Sequence, residues 1–135
     1  MPRSWSKTEA FAHYDVEMEN TRWSWSGVSA DGQSAVLVLW ADGVRRDSAG
    51  NFIYEDNKDL DAEWRRRPGH SARVRHLLHV RDALGGEFNA IIARAEDVKA
   101  EPRKIQSCYP HEGVVWTLTS FEPATGAFTA RAQRA

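Results

Sequence analysis

Four groups of residues have types and spacings able to do chemistry. The first is Trp23-Ser24-Trp25 within NTRWSWSG, which with Trp40 puts three of the chain's six tryptophans between residues 20 and 40. In an extended strand Trp23 and Trp25 point to one face, because side chains alternate with period two. Trp40, or Trp116 from a distant segment, would complete an aromatic wall. Such a wall holds a planar base or a quaternary ammonium, each contact giving about 1–3 kcal/mol by stacking or cation–π attraction. Asn20, Ser24 and Ser26 are the nearby polar groups able to orient such a ligand, and Asp42 is a further acceptor for an exocyclic amine. The competing assignments are tryptophans that fill a core and an Asp42 that belongs to the turn Ala41-Asp42-Gly43.

The second group is the block Trp64 to Arg81, WRRRPGHSARVRHLLHVR, with six arginines, three histidines and no carboxylate. Arg65, Arg66, Arg67, Arg73 and Arg75 are its candidate phosphate contacts, since guanidinium groups pair with phosphate through two parallel hydrogen bonds. The block dominates a wider asymmetry: residues 1–63 carry a net charge of −6 and residues 64–135 one of +5, within an overall −1. A basic face of this kind attracts an anion or docks on the protein's own acidic half.

The third group is His76-x-x-His79 with Cys108-Tyr-Pro-His111, which has ligand types suited to zinc but lacks a second cysteine pair or a carboxylate partner. No metal is expected. The fourth is Cys108 with His111 or His79 as a nucleophile and base, the only start for a small hydrolase. Neither GxSxG, HExxH nor a P-loop occurs, so no cofactor is expected and catalysis ranks below binding.

The elements that must position these residues are mostly strands. Residues 6–14 predict a short helix capped by Ser6 or Thr8, and SWSGVSA with SAVLVLW predicts a hairpin turning at Asp31-Gly32. GVRR and NFIYE form a second extended pair around Asp47-Ser48-Ala49-Gly50. Residues 59–67 predict a helix that stops before Pro68, and 71–84 another closed by Gly85-Gly86. FNAIIARA, KIQSCY, GVVWTLTSF and GAFTARA return to strand, the last two joined through Pro123 and Gly126. Six to eight strands with two or three helices predict an α+β fold, a small, mostly antiparallel mixed β-barrel or bent sheet.

At 135 residues the chain fits a single domain, with 41% apolar and 27% charged content and no run that would span a membrane. The N-terminal residues lack a signal-peptide pattern, and the lone Cys108 fits a reducing compartment, so a cytoplasmic location is expected.

The segment Asn20-x-Arg22-Trp23-Ser24-Trp25, followed by a turn and VLVLW, resembles one found in bacterial proteins linked to HNH nucleases and restriction. The order of strands and helices resembles the PUA-like superfamily, which includes ASCH, EVE and SRA domains. That resemblance implies a barrel-mouth pocket that binds RNA or a modified DNA base. The arginines would hold the backbone, Trp23 and Trp25 would stack, and Asn20 or Asp42 would read the base edge. The alternative is a small-molecule or protein interaction domain whose tryptophans are core.

Overall fold

The computed structural model describes residues 5–18, 25–56, 68–97, 99, 105–124 and 126–134. Helix α1 (Lys7–His13) forms where the sequence predicts it. Ser6 Oγ accepts from the Glu9 amide at 3.1 Å, and the Glu9 carboxylate accepts from the Ser6 amide at 3.0 Å, a reciprocal cap. Strands β1 (Ser26–Val28) and β2 (Ala35–Trp40) form the first hairpin. Its turn is fastened by Asp31, which accepts from Ser29 Oγ at 2.6 Å and from the Gln33 amide at 3.0 Å. Those two bonds hold the Asp31 carboxyl below its usual range, the Ser29 hydroxyl contributing most.

A single 3-10 turn, Ala41–Gly43, leads into β3 (Val44–Arg46), which pairs with β4 (Phe52–Asp56). Asp47 closes this second hairpin by accepting from the Ala49 and Asn51 amides at 2.9 and 3.0 Å. It also takes a 3.0 Å bond from Arg131. Helix α2 (Pro68–Ala83) begins three residues before the predicted 71. Proline suits the first turn, whose amide needs no intrahelical partner. The predicted helix over 59–67 lies outside the described residues. At the C-terminus Gly85 and Gly86 take positive φ, and the Gly86 amide donates back to the Val80 carbonyl at 2.8 Å. Strands β5 (Glu87–Ala95), β6 (Ile105–Pro110), β7 (Val114–Glu122) and β8 (Ala127–Arg134) complete an α+β domain of eight strands and two described α-helices.

The strands run β1-β2-β5-β7-β8-β4-β3, with β6 also on β5. All pairs are antiparallel except β2 with β5. One edge of β5 serves two strands in turn: Glu87 and Phe88 pair with β7, while Ile91 to Ala95 pair with β6. The sheet bends there around one core, made by Leu37, Leu39, Phe88, Ile92, Trp116 and Phe128 with Leu77 and Val80 of α2. The opposite face of β2 and β5 buries Val36, Val38, Ile91 and Ala93 against Ala10, Phe11 and Val16. Burial on both faces explains why AVLVLW is a continuous apolar run.

A closed barrel does not form among the described residues. The end strands β1 and β3 are not paired with each other, so the sheet is the bent, open alternative. Ala41–Gly43 links β2 to β3, and the Trp40 amide donates to the Tyr54 hydroxyl at 3.3 Å across the gap.

Helix α1 sits close on β1 because Gly27 has no side chain. A Cβ there would lie 2.5 Å from Val16 Cγ1 and 3.4 Å from the Phe11 ring. Gly27→Ala is therefore expected to destabilise the fold by about 1–3 kcal/mol through overpacking, read as a lowered urea midpoint with an unchanged slope. A stability equal to wild type would mean that α1 is free to shift.

Candidate functional site

An open groove of about 310 Å³ lies between β1 and α2, lined by Glu17, Gly27, Val28, Arg75, His76 and His79. In β1, Gly27 faces α1 and the flanking Ser26 faces α2. On α2, Arg75, His76 and His79 come within one turn of each other. Both histidine rings are held in place: His76, only 7% exposed, has Nδ1 2.7 Å from the buried Ser26 hydroxyl. His79 donates from Nε2 to the Gly32 carbonyl at 2.8 Å, which ties α2 to the hairpin turn. Glu17, exposed on the segment between α1 and β1, brings a carboxylate with no ion-pair partner among the described residues. The groove thus sets an acceptor facing a cationic and imidazole wall.

The aromatic residues divide between two faces. Trp25 and Trp40 meet with ring centroids 5.4 Å apart at 44°, half-buried on the α1 side of the sheet. The Lys7 ammonium sits 4.9 Å over the Trp25 ring, and burial lowers its pKa. Trp116 is fully buried in the other cluster. Its Nε1 donates to His111 Nδ1 at 3.1 Å, and its ring stacks with Phe88. The sheet therefore separates Trp116 from the Trp25–Trp40 pair, and no wall combines the three. Asp42 is exposed in the turn directly after Trp40. Asn20 and Trp23 lie outside the described residues.

The arginines divide as well. Arg75 lines the groove, whereas Arg73, half-buried, places its guanidinium 5.5 Å over the Phe128 ring. Positions two apart on a helix diverge by roughly 200°, so Arg73 and Arg75 do not share a phosphate-facing side. Arg65, Arg66 and Arg67 lie outside the described residues.

Neither catalytic nor metal-binding use of the third and fourth groups is assembled. Cys108 is buried in the α1-side cluster and donates to the Trp5 carbonyl at 3.3 Å, while His111 serves Trp116 on the other side. Burial raises the Cys108 thiol pKa, which disfavours the thiolate a nucleophile needs. His76 and His79 are engaged with Ser26 and Gly32. Among the described residues no group of three or more His, Cys, Asp and Glu is placed to hold a metal ion. Ser26 and His76 resemble a nucleophile and base, but Ser26 is 1% exposed and its hydroxyl is out of a substrate's reach.

Glu17 carries no sequence signal, whereas Ser26, the partner of His76, stands beside Trp25 in the segment read as a source of polar groups. The His76-x-x-His79 spacing does place both rings on one helix face, yet what they face depends on long-range packing. The chain matches no protein-family model, no curated protein and no solved structure.

Proposed function

We propose that this chain is a nucleic-acid-binding module in which α2 and the arginines preceding it hold phosphates while a base is held at the β1 hairpin. The observation that supports this most is the position of the groove. It lies between β1, whose Ser26 and Gly27 end the NTRWSWSG segment, and α2, which carries the second part of the arginine block. The Trp25–Trp40 pair, on the α1 side of the sheet, supplies a half-buried stacking surface. The PUA-like resemblance belongs to the same reading. It is supported by the eight-strand mixed sheet whose β2-β5-β7-β8-β4-β3 order returns to β2 through Ala41–Gly43. Discrimination of a modified base, the choice of DNA or RNA and a cytoplasmic location are part of this proposal. No helix among the described residues is long and apolar enough to cross a membrane.

Tryptophan fluorescence tests it, by titration with single- and double-stranded oligonucleotides carrying cytosine, 5-methylcytosine or 5-hydroxymethylcytosine. Saturable quenching is expected, and Trp25→Ala should weaken binding by about 1–3 kcal/mol, or roughly 5- to 150-fold. An unchanged dissociation constant for that variant would remove the tryptophan pair from the site.

A second reading, a small-molecule or protein interaction domain with core tryptophans, is favoured by the complete burial of Trp116 and by Lys7 over Trp25. It predicts that no oligonucleotide shifts the emission. The hydrolase reading has lost its residues, because Cys108 and His111 hold separate partners.

A further inference from the structure

We infer that a base stacks on the Trp25 face that Lys7 now covers, so that Lys7 is an internal plug which the ligand must displace; this rests on the nucleic-acid reading above. The Lys7 ammonium lies 4.9 Å over the centroid of the Trp25 ring. A stacked base brings its atoms to about 3.5–4.0 Å from the ring, the separation of carbon atoms in contact, so base and ammonium cannot share one face. Nor can the base enter between the two tryptophans. That arrangement needs about 7 Å, twice the contact distance, whereas the Trp25 and Trp40 centroids are 5.4 Å apart.

Both partners of this contact stand on anchored backbone. Lys7 is the first residue of α1, just after the Ser6 cap, and the chain before it is tied to β6 by the Trp5–Cys108 bridge and by the 3.3 Å bond from Cys108 Sγ to the Trp5 carbonyl. Trp25 is fixed beside β2, its carbonyl accepting from the Val38 amide at 2.9 Å. The ammonium is therefore delivered to the ring by the fold, while its four-carbon stem leaves it free to swing away. Lys7 is half-buried, and burial lowers its proton affinity, the partly desolvated setting in which a cation–π contact is stronger than at an exposed site. Apparent affinity is then the intrinsic affinity reduced by the fraction of molecules whose plug is withdrawn. The sign of this effect is diagnostic, because a lysine that contacts phosphate strengthens binding and a plug weakens it.

The test uses the full chain with a thymidine 12-mer and a 12-mer of abasic sites, which keeps the phosphates and lacks the bases. In fluorescence anisotropy at low salt, Lys7→Ala is expected to bind the thymidine 12-mer about 2- to 30-fold more tightly than wild type, the range of one cation–π contact, and to show no gain on the abasic 12-mer. Alanine is the best helix former, so α1 is retained. Lys7→Arg, which keeps a cation over the ring, should show no gain on either. Weaker or equal binding of the thymidine 12-mer by Lys7→Ala overturns the plug, and the nucleic-acid reading stands so long as Trp25→Ala weakens binding. A gain on both 12-mers, or an equal gain in Lys7→Arg, also overturns the plug, since neither is relief of a stacking face from a cation. If neither wild type nor Lys7→Ala binds either 12-mer, both readings fall together.

Discussion

Trp116→Ala is expected to remove about 3–5 kcal/mol of folding stability, the range for a fully buried tryptophan truncated in a core. The indole is 0% exposed, stacks on Phe88 and meets Phe52 at a tilt, at centroid distances of 6.4 and 6.3 Å. Strands β5 and β7 meet at this residue, since Phe88 is its partner in the ladder. The cavity would therefore open at the bend of the sheet, where Leu37, Leu39 and Phe128 from other strands also converge. Alanine also leaves His111 Nδ1 without its indole donor. Domains of this size have about 5–15 kcal/mol in total, so the variant should melt roughly 10–20 °C lower. Trp116→Phe keeps the stacking and loses the hydrogen bond, and should cost only about 1–2 kcal/mol. A urea midpoint for Trp116→Ala close to wild type would mean that the ring lines an open pocket, as one of a set with Trp25 and Trp40.

What the sequence reveals about this fold follows the range over which each signal acts. The hairpins of β1–β2, β3–β4 and β7–β8 are legible because their turns are written locally, in Asp31-Gly32, in Asp47 to Gly50 and in Pro123 to Gly126. The cap of α1 is legible for the same reason, Ser6 and Glu9 being three residues apart. The parallel pairing of β2 with β5 is not, because the chain passes through two strands and a helix before the partner arrives. That pairing decides the fate of the tryptophans. It gives the central sheet two buried faces, and Trp116 and the Trp25–Trp40 pair fall on different ones. Composition alone groups all three. The arginine block shows the same limit: charge marks it as basic, but only the packing of α2 on β1 and the core sends Arg75 to the groove and Arg73 onto Phe128.

The proposed phosphate contacts set a definite salt dependence. Arg65, Arg66, Arg67 and Arg75 are the four proposed phosphate contacts that remain once Arg73 is assigned to Phe128. Each phosphate neutralised on a single strand contributes about −0.7 to the slope of log K against log salt, and about −0.9 on a duplex. Four contacts give slopes of about −2.8 and −3.6, so affinity should fall roughly 50-fold on a single strand and 150-fold on a duplex between 50 and 200 mM salt. Arg75→Ala should make the slope shallower by about one contact's worth and weaken all sequences alike, whereas Trp25→Ala should shift the line without changing its slope. The two substitutions therefore separate backbone positioning from base contact, which sit on opposite sides of β1. Affinity that survives 200 mM salt undiminished would exclude the arginine block as an anchor. Any binding would then rest on the tryptophan pair, whose stacking contacts release no counterions.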